Sequence, residues 1–386
     1  MRVVIDGRPI QDHFPGIGRY VYNLVRALAG LEDAPSIDLI YDPVHPSTRF
    51  DLERLTIGAP SVCLVPLPLT PFDPRSQIVA PLLLRRLKAD VYHSPYYIMP
   101  YAAGRRVVVT LYDTIPLIYP EFLPYRPARW LYRLATNLAG RRAAAILAIS
   151  RCAADDLTRV ASLPATRITV TPLAADPQFR PLPNQAEVAH WRALAGLPAR
   201  YVLYVGINKP HKNLERLVRA WAIVYRQWRP SWGSRPALVL AGREDRRYPA
   251  ARRAAEELGP RVDIRFLGDV WDSDLPWLYN GATVFVFPSL YEGFGLPVLE
   301  AMACGTPVAC SNRSSMPEIV GPAGRLFDPL NEEEIAAALV ALLGDSAERE
   351  RRSALGLKQA GQFSWHRTAA LTLAVYRKAA ASKRSA

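Results

Sequence analysis

The sequence is poor in cysteine and histidine, since its 386 residues include four cysteines and six histidines. The cysteines lack CxxC spacing, and none has a histidine at the spacing of a metal-ligand set. We therefore interpret them as reduced structural thiols and not as a disulfide framework or a metal site. They are Cys63, Cys152, Cys304 and Cys310.

Long apolar runs are also missing. The run Ala143–Ile149 falls far short of the roughly 20 apolar residues that a membrane-spanning helix needs. The first residues, MRVVIDG, are typical of a strand entering a turn and differ from a secretion signal. Half of all residues are hydrophobic, which is enough to build a core. We expect a globular, cytoplasmic protein.

Acidic residues are too few to balance the basic ones. The chain has 48 lysines and arginines against 35 aspartates and glutamates, which gives a formal net charge of +13. The excess is nearly all arginine and is spread along the chain. This balance permits anionic partners such as nucleotide sugars, acidic lipid surfaces or nucleic acid, without choosing among them.

Short β-branched runs alternate with helical patterns, which predicts an α/β fold with largely parallel sheets. Four prolines between Thr171 and Leu197 mark a linker, so we predict doubly wound domains at residues 1–175 and 176–364. Ligands of such sheets bind beyond the carboxyl ends of the strands. Strands are predicted at Arg2–Ile5, Ile37–Tyr41, Val62–Val65, Val91–His93, Val107–Leu111, Ala145–Ile149, Ile168–Thr171, Tyr201–Val205, Ala237–Ala241, Val262–Leu267, Thr283–Phe287, Val308–Ser311 and Arg325–Phe327.

The most informative stretch is PSLYEGFGLPVLEAMACGTP, which follows a predicted strand. Its glycines and Pro297 keep Glu292 and Glu300 from sharing one helix, so Glu292 lies in a loop and a helix begins near Leu296. The free N–H groups at that helix start favour an anion such as a diphosphate. Glu300, one turn further, can accept two hydroxyl protons from a ribose diol. Alternatively, the glycines only turn the chain and the glutamate favours the helix dipole.

The segment EGFGLPVLEAMACGTPV closely resembles the glutamate signature of retaining nucleotide-sugar glycosyltransferases of family 4, and in particular of their mannosyltransferase-like members. The resemblance extends over nearly the whole chain. It implies a GT-B fold, in which two Rossmann-like domains face each other across an interdomain cleft. It also implies that residues 365–386 form a helix that returns to the first domain. The further segments that carry it are PGIGRY, HSP, YDTIPL, AISRCAADDL, VTPLAADPQF, YVGINKPHKNLERLVRAWA and LAG.

The resemblance assigns the donor mainly to the second domain. In GINKPHKN, Gly206 ends a strand, and Lys212 and Lys209 would offset the charge of a diphosphate. Relatives often have an arginine soon after this glycine, where this chain has Ile207 and Asn208, so Lys209 or His211 would supply the second basic group. Base contacts would come from loops near residues 242–243 and 267–270. The other donor-binding residues implied are Gly242, Val270, Glu292, Gly293, Phe294, Gly295, Leu296 and Glu300.

A glycine-rich segment of the first domain, FPGIGRY, is predicted to be a loop. A dinucleotide fingerprint is one interpretation of Gly16 and Gly18, but Val21 stands where such a fingerprint has its third glycine. The resemblance implies instead that this loop closes over the donor phosphates and the reacting sugar. Arg19 would add a positive charge there, although it equally fits a solvated helix face.

Three residues are candidates for catalysis: His93, Asp113 and Glu292. His93 and Asp113 follow predicted strands, and a lone histidine at a strand end is more often structural. The resemblance places His93 near the transferred sugar, as a hydrogen-bonding group, and Glu292 on the sugar hydroxyls. Many relatives have a histidine before the aspartate, where this chain has Tyr112. A general-base role of Asp113 towards the acceptor hydroxyl is a hypothesis.

Basic residues cluster in the first domain, interleaved with aromatic ones. Such a surface could rest on anionic lipid or hold an acceptor phosphate, and a solvated helix face explains it equally well. The cluster comprises Arg85, Arg86, Lys88, Arg105, Arg106, Arg126, Arg129, Arg133, Arg141 and Arg142, with Tyr125, Trp130 and Tyr132.

The resemblance implies transfer of a hexose from a nucleoside-diphosphate sugar with retention of configuration, without a cofactor. GDP-mannose is the first donor candidate and a UDP-sugar the second; the acceptor would be a saccharide or lipid-linked. The sequence has no DxD-type metal site where the donor would need one, because the acidic run Glu332–Glu334 opens a helix. We therefore predict metal-independent transfer. Open alternatives are a sugar-nucleotide epimerase or inverting transferase of the same fold, a nicotinamide oxidoreductase, and a non-enzymatic solute- or nucleic-acid-binding protein.

Overall fold

The computed structural model describes residues 1–12, 15–104, 106–123 and 127–381. The chain divides into two compact units. Unit 1 comprises Met1–Leu173 together with the described part of Ser364–Ala386, and unit 2 comprises Ala174–Phe363. The longer, earlier part of unit 1 is therefore separated in sequence from its last helix by the whole of unit 2.

Strands and helices alternate in both units. The elements up to the end of the first sheet are β1 (Arg2–Asp6), α1 (Pro15–Ala29), β2 (Ser36–Tyr41), β3 (Val62–Pro66), α2 (Ser76–Arg86), β4 (Val91–Ser94), β5 (Val107–Leu111), α3 (Ile115–Ile118), α4 (Pro127–Arg142), β6 (Ala145–Ala148), α5 (Arg151–Arg159) and β7 (Ile168–Val170). They are followed by α6 (Gln185–Leu194), β8 (Tyr201–Val205), α7 (Leu214–Gln227), β9 (Ala237–Ala241), α8 (Ala250–Leu258), β10 (Ile264–Gly268), α9 (Leu275–Gly281), β11 (Val284–Phe287), α10 (Leu296–Ala303), β12 (Val308–Ser311), α11 (Met316–Val320), β13 (Arg325–Phe327), α12 (Glu332–Gly344), α13 (Ser346–Ala360) and α14 (Trp365–Ala381). None of the helices in the described ranges combines the length and the apolar character needed to cross a bilayer.

Each unit contains a parallel sheet, as the sequence predicts. In the described part of the chain, unit 1 has seven strands in the order β3-β2-β1-β4-β5-β6-β7, and unit 2 has six in the order β10-β9-β8-β11-β12-β13. The central strands are rich in β-branched residues and are buried on both faces, as in Val3–Ile5 and Val107–Val109, because helices cover both sides of such a sheet. The predicted α/β fold with two doubly wound sheets is confirmed.

The last helix packs within unit 1, as the resemblance implies. Helix α14 contacts α1, and its residues Leu373 and Tyr376 are buried. The Thr368 hydroxyl donates a hydrogen bond to the carbonyl oxygen of Pro172, and the Arg377 guanidinium pairs with the Asp33 carboxylate. Helix α14 therefore contributes to the core of a unit whose sheet lies far earlier in the sequence.

One predicted loop is a helix. Helix α1 already begins at Pro15, so Gly16 and Gly18 lie in its first turns and the loop prediction is wrong for them. Proline suits the first helical position because its missing N–H would lack a partner there anyway. A Cβ on Gly18 would lie 3.2 Å from the ring of Phe50, so a small residue fits this turn. Phe14 lies outside the described residues.

We expect Leu373→Ala to lower the free energy of unfolding by about 2–4 kcal/mol, because it leaves a cavity where α14 packs on unit 1. Lys378→Ala changes an exposed residue of the same helix and should lower it by less than about 0.5 kcal/mol. Urea unfolding of both variants measures the difference. Equal losses would show that α14 does not contribute to the core.

Candidate functional site

Glycines end three neighbouring strands of the unit 2 sheet. Gly206 and Gly242 follow β8 and β9, Gly268 ends β10, and all three have positive φ angles. A Cβ on Gly242 would lie 2.4 Å from the carbonyl oxygen of Gly206, and a Cβ on Gly206 would lie 2.5 Å from the hydroxyl of Tyr204. Only glycine therefore fits the first two turns, which touch each other at the carboxyl end of the sheet.

A narrow pocket lies beside these turns, within unit 2. The guanidinium of Arg252 lies 4.3 Å from the centroid of the Phe266 ring, and its Nε is 2.9 Å from Oε2 of Glu244. Val270, predicted to contact the nucleobase, is half-buried just after β10. The pocket is lined by Tyr204, Gly206, Asn208, Leu214, Leu240, Ala241, Gly242, Glu244, Ala251, Arg252 and Phe266.

Lys212 and Glu292, two predicted donor-binding residues, form an ion pair. Lys212 Nζ lies 2.6 Å from Glu292 Oε1, with the two side chains 17% and 11% exposed. The same ammonium group lies 5.2 Å from the centroid of the Phe287 ring, at the end of β11. Strands β8 and β11 pair in the sheet, so the loops that follow them bring this cation and carboxylate together.

Three residues close to Lys212 in sequence bear on which side chain supplies the second positive charge for a diphosphate. Burial and the charge of Lys212 lower the pKa of His211 to about 4, so its imidazole is neutral near pH 7. Lys209 is exposed. Asn208, at the place of the relatives' arginine, donates from Nδ2 to the carbonyl oxygens of Asp245 (3.1 Å) and Tyr248 (2.9 Å). His211 is therefore the weaker candidate, the contact of Lys209 with a phosphate stays a prediction, and Asn208 holds the loop that follows Gly242.

Two serines that sequence reasoning missed hold the Glu292 loop. Ser314 Oγ accepts a hydrogen bond from the N–H of Glu292 (2.9 Å). Ser315 Oγ lies 3.0 Å from the carbonyl oxygen of Glu292 and 2.7 Å from that of Phe294, to which it can donate. A Cβ on Gly295, which has φ +108°, would lie 2.3 Å from Cε of Met316. The signal in the sequence was a serine-rich turn after β12.

The helix start predicted near Leu296 is confirmed, since α10 begins there with Pro297 next to it. No described residue accepts a hydrogen bond from the backbone N–H of Phe294, Gly295 or Leu296. Such N–H groups at a helix start are able to bind an anion. Gly293, in the same loop, is buried.

Glu300 is more deeply placed than a surface ligand group would be. It is 2% exposed, and the hydroxyl of Tyr279 donates a hydrogen bond to its Oε2 (2.8 Å). Tyr279, itself fully buried, was not identified from the sequence, because its position on α9 gives no indication of a contact with α10. The predicted contact of Glu300 with a ribose stays a prediction.

His93 lies inside unit 1. The side chain is fully buried, its Nε2 lies 2.8 Å from Thr110 Oγ1, and its Nδ1 lies 2.6 Å from the Tyr376 hydroxyl. Thr110 Oγ1 also lies 2.9 Å from the hydroxyl of Tyr20. These bonds join β4, β5, α1 and α14. Both ring nitrogens therefore have partners within the unit, and contact with a sugar stays a prediction.

Asp113 follows β5 and is half-buried. Its Oδ1 accepts a hydrogen bond from the N–H of Ile115 (3.0 Å), at the start of α3, and its carbonyl oxygen accepts one from the Tyr132 hydroxyl (2.7 Å). The ring of Tyr112 packs edge-on against Tyr20, with centroids 5.5 Å apart. Among the described residues, none hydrogen-bonds the buried hydroxyl of Tyr112.

A buried ion pair that the sequence analysis missed fixes the turn after β1. Arg8 and Asp6 are 1% and 2% exposed, and Arg8 Nε and Nη2 donate to the two carboxylate oxygens at 2.8 and 2.6 Å. Tyr92 donates to the same carboxylate (2.8 Å), and Arg8 Nη1 donates to Ser76 Oγ on α2 (2.9 Å). Burial alone would raise the pKa of Asp6, but Arg8 lowers it, so the pair is charged.

Two family models match the chain. One, described as Glycosyltransferase Family 4, matches residues 15–179, and the other, described as Glycosyl transferases group 1, matches residues 189–359. The chain is similar to the O-antigen chain mannosyltransferase B of Escherichia coli, with 33% identity over an alignment of 399 positions that covers 98% of this chain and all of that protein.

Solved structures share the fold over nearly the whole chain. Sucrose-phosphate synthase from Thermosynechococcus elongatus has a TM-score of 0.77 at 23% identity and covers 99% of this chain and 100% of its own. Anabaena HepE in complex with UDP and glucose has a TM-score of 0.73 at 20% identity, with 97% and 99% covered. Together with the two doubly wound sheets, these matches define a glycosyltransferase of the GT-B fold. The chain belongs to the family-4 glycosyltransferases.

The burial of His93 predicts a pH dependence of stability. Burial lowers its pKa to about 3, from an ordinary value of 6.5. At low pH the unfolded chain therefore binds a proton at His93 that the folded unit excludes. The free energy of unfolding falls for this reason as the pH decreases from about 6.5 towards 3. Between pH 7 and pH 5 we expect the buried His93 to contribute a loss of about 2 kcal/mol, which His93→Gln removes, whereas the loss due to the buried His211 remains. Urea unfolding at both pH values measures it.

The control for this experiment is His366→Gln, which changes an exposed histidine of α14. This variant should keep the pH dependence of the wild type. If His93→Gln also keeps it, the buried imidazole does not cause the loss.

Proposed function

We propose that this enzyme transfers a hexose, with mannose as the first candidate, from a nucleoside-diphosphate sugar to a saccharide or lipid-linked acceptor with retention of configuration. The observation that carries the mannosyl assignment is the likeness to the Escherichia coli O-antigen chain mannosyltransferase B over the whole length of both chains. GDP-mannose is accordingly the first donor candidate and a UDP-sugar the second. The proposed context is cell-envelope polysaccharide or glycolipid synthesis, at a cytoplasmic location.

In this proposal, unit 2 holds the donor. The diphosphate accepts hydrogen bonds from the N–H groups of residues 294–296, at the start of α10, and Lys212 and Lys209 offset its charge. Glu300 accepts hydrogen bonds from the ribose hydroxyls, with Tyr279 orienting its carboxylate. The nucleobase is assigned to the loops that follow β9 and β10, near Gly242 and Val270.

The ion pair of Lys212 with Glu292 suggests how the site changes when it binds the donor. A diphosphate carries more negative charge than one carboxylate, so it attracts the Lys212 ammonium away from Glu292. Glu292 is then able to accept hydrogen bonds from hydroxyls of the transferred sugar. Glu292 would thus exchange the ammonium group of Lys212 for the sugar hydroxyls when the donor binds.

The proposed reaction is transfer at the front face of the sugar. The acceptor hydroxyl oxygen attacks the anomeric carbon on the side from which the diphosphate leaves, and a leaving phosphate oxygen takes the proton. The enzyme orients the reactants and stabilises the charge that develops on the diphosphate. Asp113 would orient the acceptor hydroxyl. His93 enters as a positioning residue, since its ring nitrogens are bonded inside unit 1.

Metal-independent transfer is part of the proposal, because lysine side chains and backbone N–H groups would offset the negative charge of the diphosphate in place of a metal ion. Transfer that persists in EDTA is expected. An inverting transferase or an epimerase would differ in the product, whose anomeric configuration NMR determines. Binding of NAD in place of a nucleoside diphosphate would favour the oxidoreductase alternative.

We expect Glu300→Gln to weaken binding of the donor nucleoside diphosphate about tenfold or more, because a carboxylate that accepts two ribose hydroxyls is lost. Tyr279→Phe, which removes the hydroxyl bonded to Glu300 and leaves the carboxylate, should weaken binding less than Glu300→Gln does. Thermal shift with GDP, UDP, ADP and NAD measures both. A ligand at about a hundred times its dissociation constant adds roughly 2.7 kcal/mol of stability. An unchanged shift in Glu300→Gln would contradict the ribose assignment.

Glu292→Gln separates the two roles of Glu292. We expect it to bind the free nucleoside diphosphate at least as tightly as the wild type, because Lys212 loses its counter-ion. Affinity for the sugar nucleotide should not rise in parallel, because the sugar hydroxyls lose a charged acceptor. Isothermal titration with GDP and GDP-mannose, or the UDP pair, compares them. Parallel changes for both ligands would assign Glu292 to the ion pair alone.

A further inference from the structure

Two helices of unit 1 expose large apolar side chains. On α2, Ile78 is 68% and Leu82 57% exposed, and on α4, Trp130 is 72% and Leu134 67% exposed. Within each helix these positions are four apart, so they share one face. Single exposed apolar residues need no explanation, but a grouped set indicates a binding surface. Val79 and Leu131, next to them, are exposed as well.

Both helices also lack acidic residues, as their sequences SQIVAPLLLRR and PARWLYRLATNLAGRR show. Their exposed sides carry arginines instead. We call this combined surface the α2–α4 face. It consists of Ile78, Val79, Leu82, Arg85, Arg86, Arg129, Trp130, Leu131, Arg133, Leu134, Arg141 and Arg142. Arg105, Tyr125 and Arg126, which the sequence analysis grouped with it, lie outside the described residues.

The sheet topology places the two helices on the same side of unit 1. The connections from β3 to β4 and from β5 to β6 run in the same direction across the sheet, so right-handed crossovers put α2 and α4 on one face. The connection from β1 to β2 runs the opposite way, which puts α1 on the other face, where α14 contacts it. The α2–α4 face is therefore the side of unit 1 that α14 does not cover.

One loop after β4 contacts both helices. The ring of Tyr97 lies 4.8 Å from that of Tyr132 on α4, and Gln77 Nε2 on α2 donates to the carbonyl oxygen of Met99 (3.0 Å). The two helices are thus held to a common support. Their exposed apolar and basic side chains therefore belong to one side of unit 1.

We propose that the α2–α4 face docks on an anionic phospholipid surface. Tryptophan and leucine insert at the boundary of head groups and acyl chains, while the surrounding arginines pair with lipid phosphates. The complete lack of acidic side chains on both helices matches a surface of uniformly negative charge. A second copy of this chain is a poorer occupant, because a symmetric dimer would set the arginines of one face against those of the other.

This inference deepens the proposed function, because it rests on the lipid-linked acceptor named there. It assigns membrane contact to apolar residues of two particular helices as well as to arginines. The acceptor would then be taken from the same membrane surface on which unit 1 rests.

The test is co-sedimentation of the full chain with vesicles of phosphatidylcholine alone and with vesicles that contain about 30% phosphatidylglycerol. The wild type should bind the anionic vesicles and not the neutral ones. The double variant Trp130→Glu with Leu134→Glu should lose about tenfold or more of this affinity. The matched control, Ile57→Glu with Leu194→Glu, changes residues outside the α2–α4 face that are each 75% exposed and should bind like the wild type.

Several outcomes would overturn the proposal: no binding of the wild type to anionic vesicles, equal binding to neutral ones, or unchanged binding of the Trp130/Leu134 variant. A wild-type dimer that this variant makes monomeric, seen by light scattering without vesicle binding, would assign the face to a second copy.

The nucleotide thermal shift distinguishes failure of this inference from failure of the proposed function. Both double variants change exposed residues outside the donor site, so they should keep the wild-type shift, which also shows that they are folded. Vesicle binding without any thermal shift by a nucleoside diphosphate would support membrane docking by the α2–α4 face and overturn the transferase proposal.

Discussion

The ion pair between Lys212 and Glu292 is the interaction on which the arrangement of unit 2 depends. It joins the segments that follow two paired strands, β8 and β11, at the end of the sheet where glycine turns leave the backbone accessible. A charge so little exposed is costly without a partner, so each residue fixes the other. Ser314 and Ser315 then hold the backbone on the Glu292 side, which leaves the N–H groups at the start of α10 without a bound partner among the described residues.

Much of this architecture could be predicted, because it depends on local and periodic features. Runs such as Val107–Leu111 are β-branched and apolar, so they predict buried parallel strands, and the structure places that strand at the predicted residues. Pro297, which follows two glycines, predicted that a helix begins near Leu296 and that Glu292 lies in the loop before it, and α10 begins at Leu296. The acidic run Glu332–Glu334 was predicted to open a helix, and α12 does begin at Glu332, where the Asn331 side chain accepts hydrogen bonds from the backbone.

What could not be predicted are the contacts between side chains that are remote in sequence. The partner of His93 is Tyr376, 283 positions later, and no local pattern relates them. Asn208 stands in the segment where relatives often have an arginine, but its amide makes hydrogen bonds with the backbone of Asp245 and so holds that loop. Gly16 and Gly18 were misassigned because glycine disfavours a helix interior, although a helix tolerates it better near its first turn.

The division of unit 1 by unit 2 has a consequence for biosynthesis. A ribosome makes the sheet of unit 1 before unit 2, and makes α14 only after unit 2. Until then, His93 lacks Tyr376, and the apolar residues of α1 that contact α14 lack their cover. Domains generally fold in the order of synthesis, but here unit 1 begins before unit 2 and is completed after it. A nascent chain that stalls before Trp365 would carry a finished unit 2 and an exposed unit 1 core, which is the form that chaperones and proteases recognise.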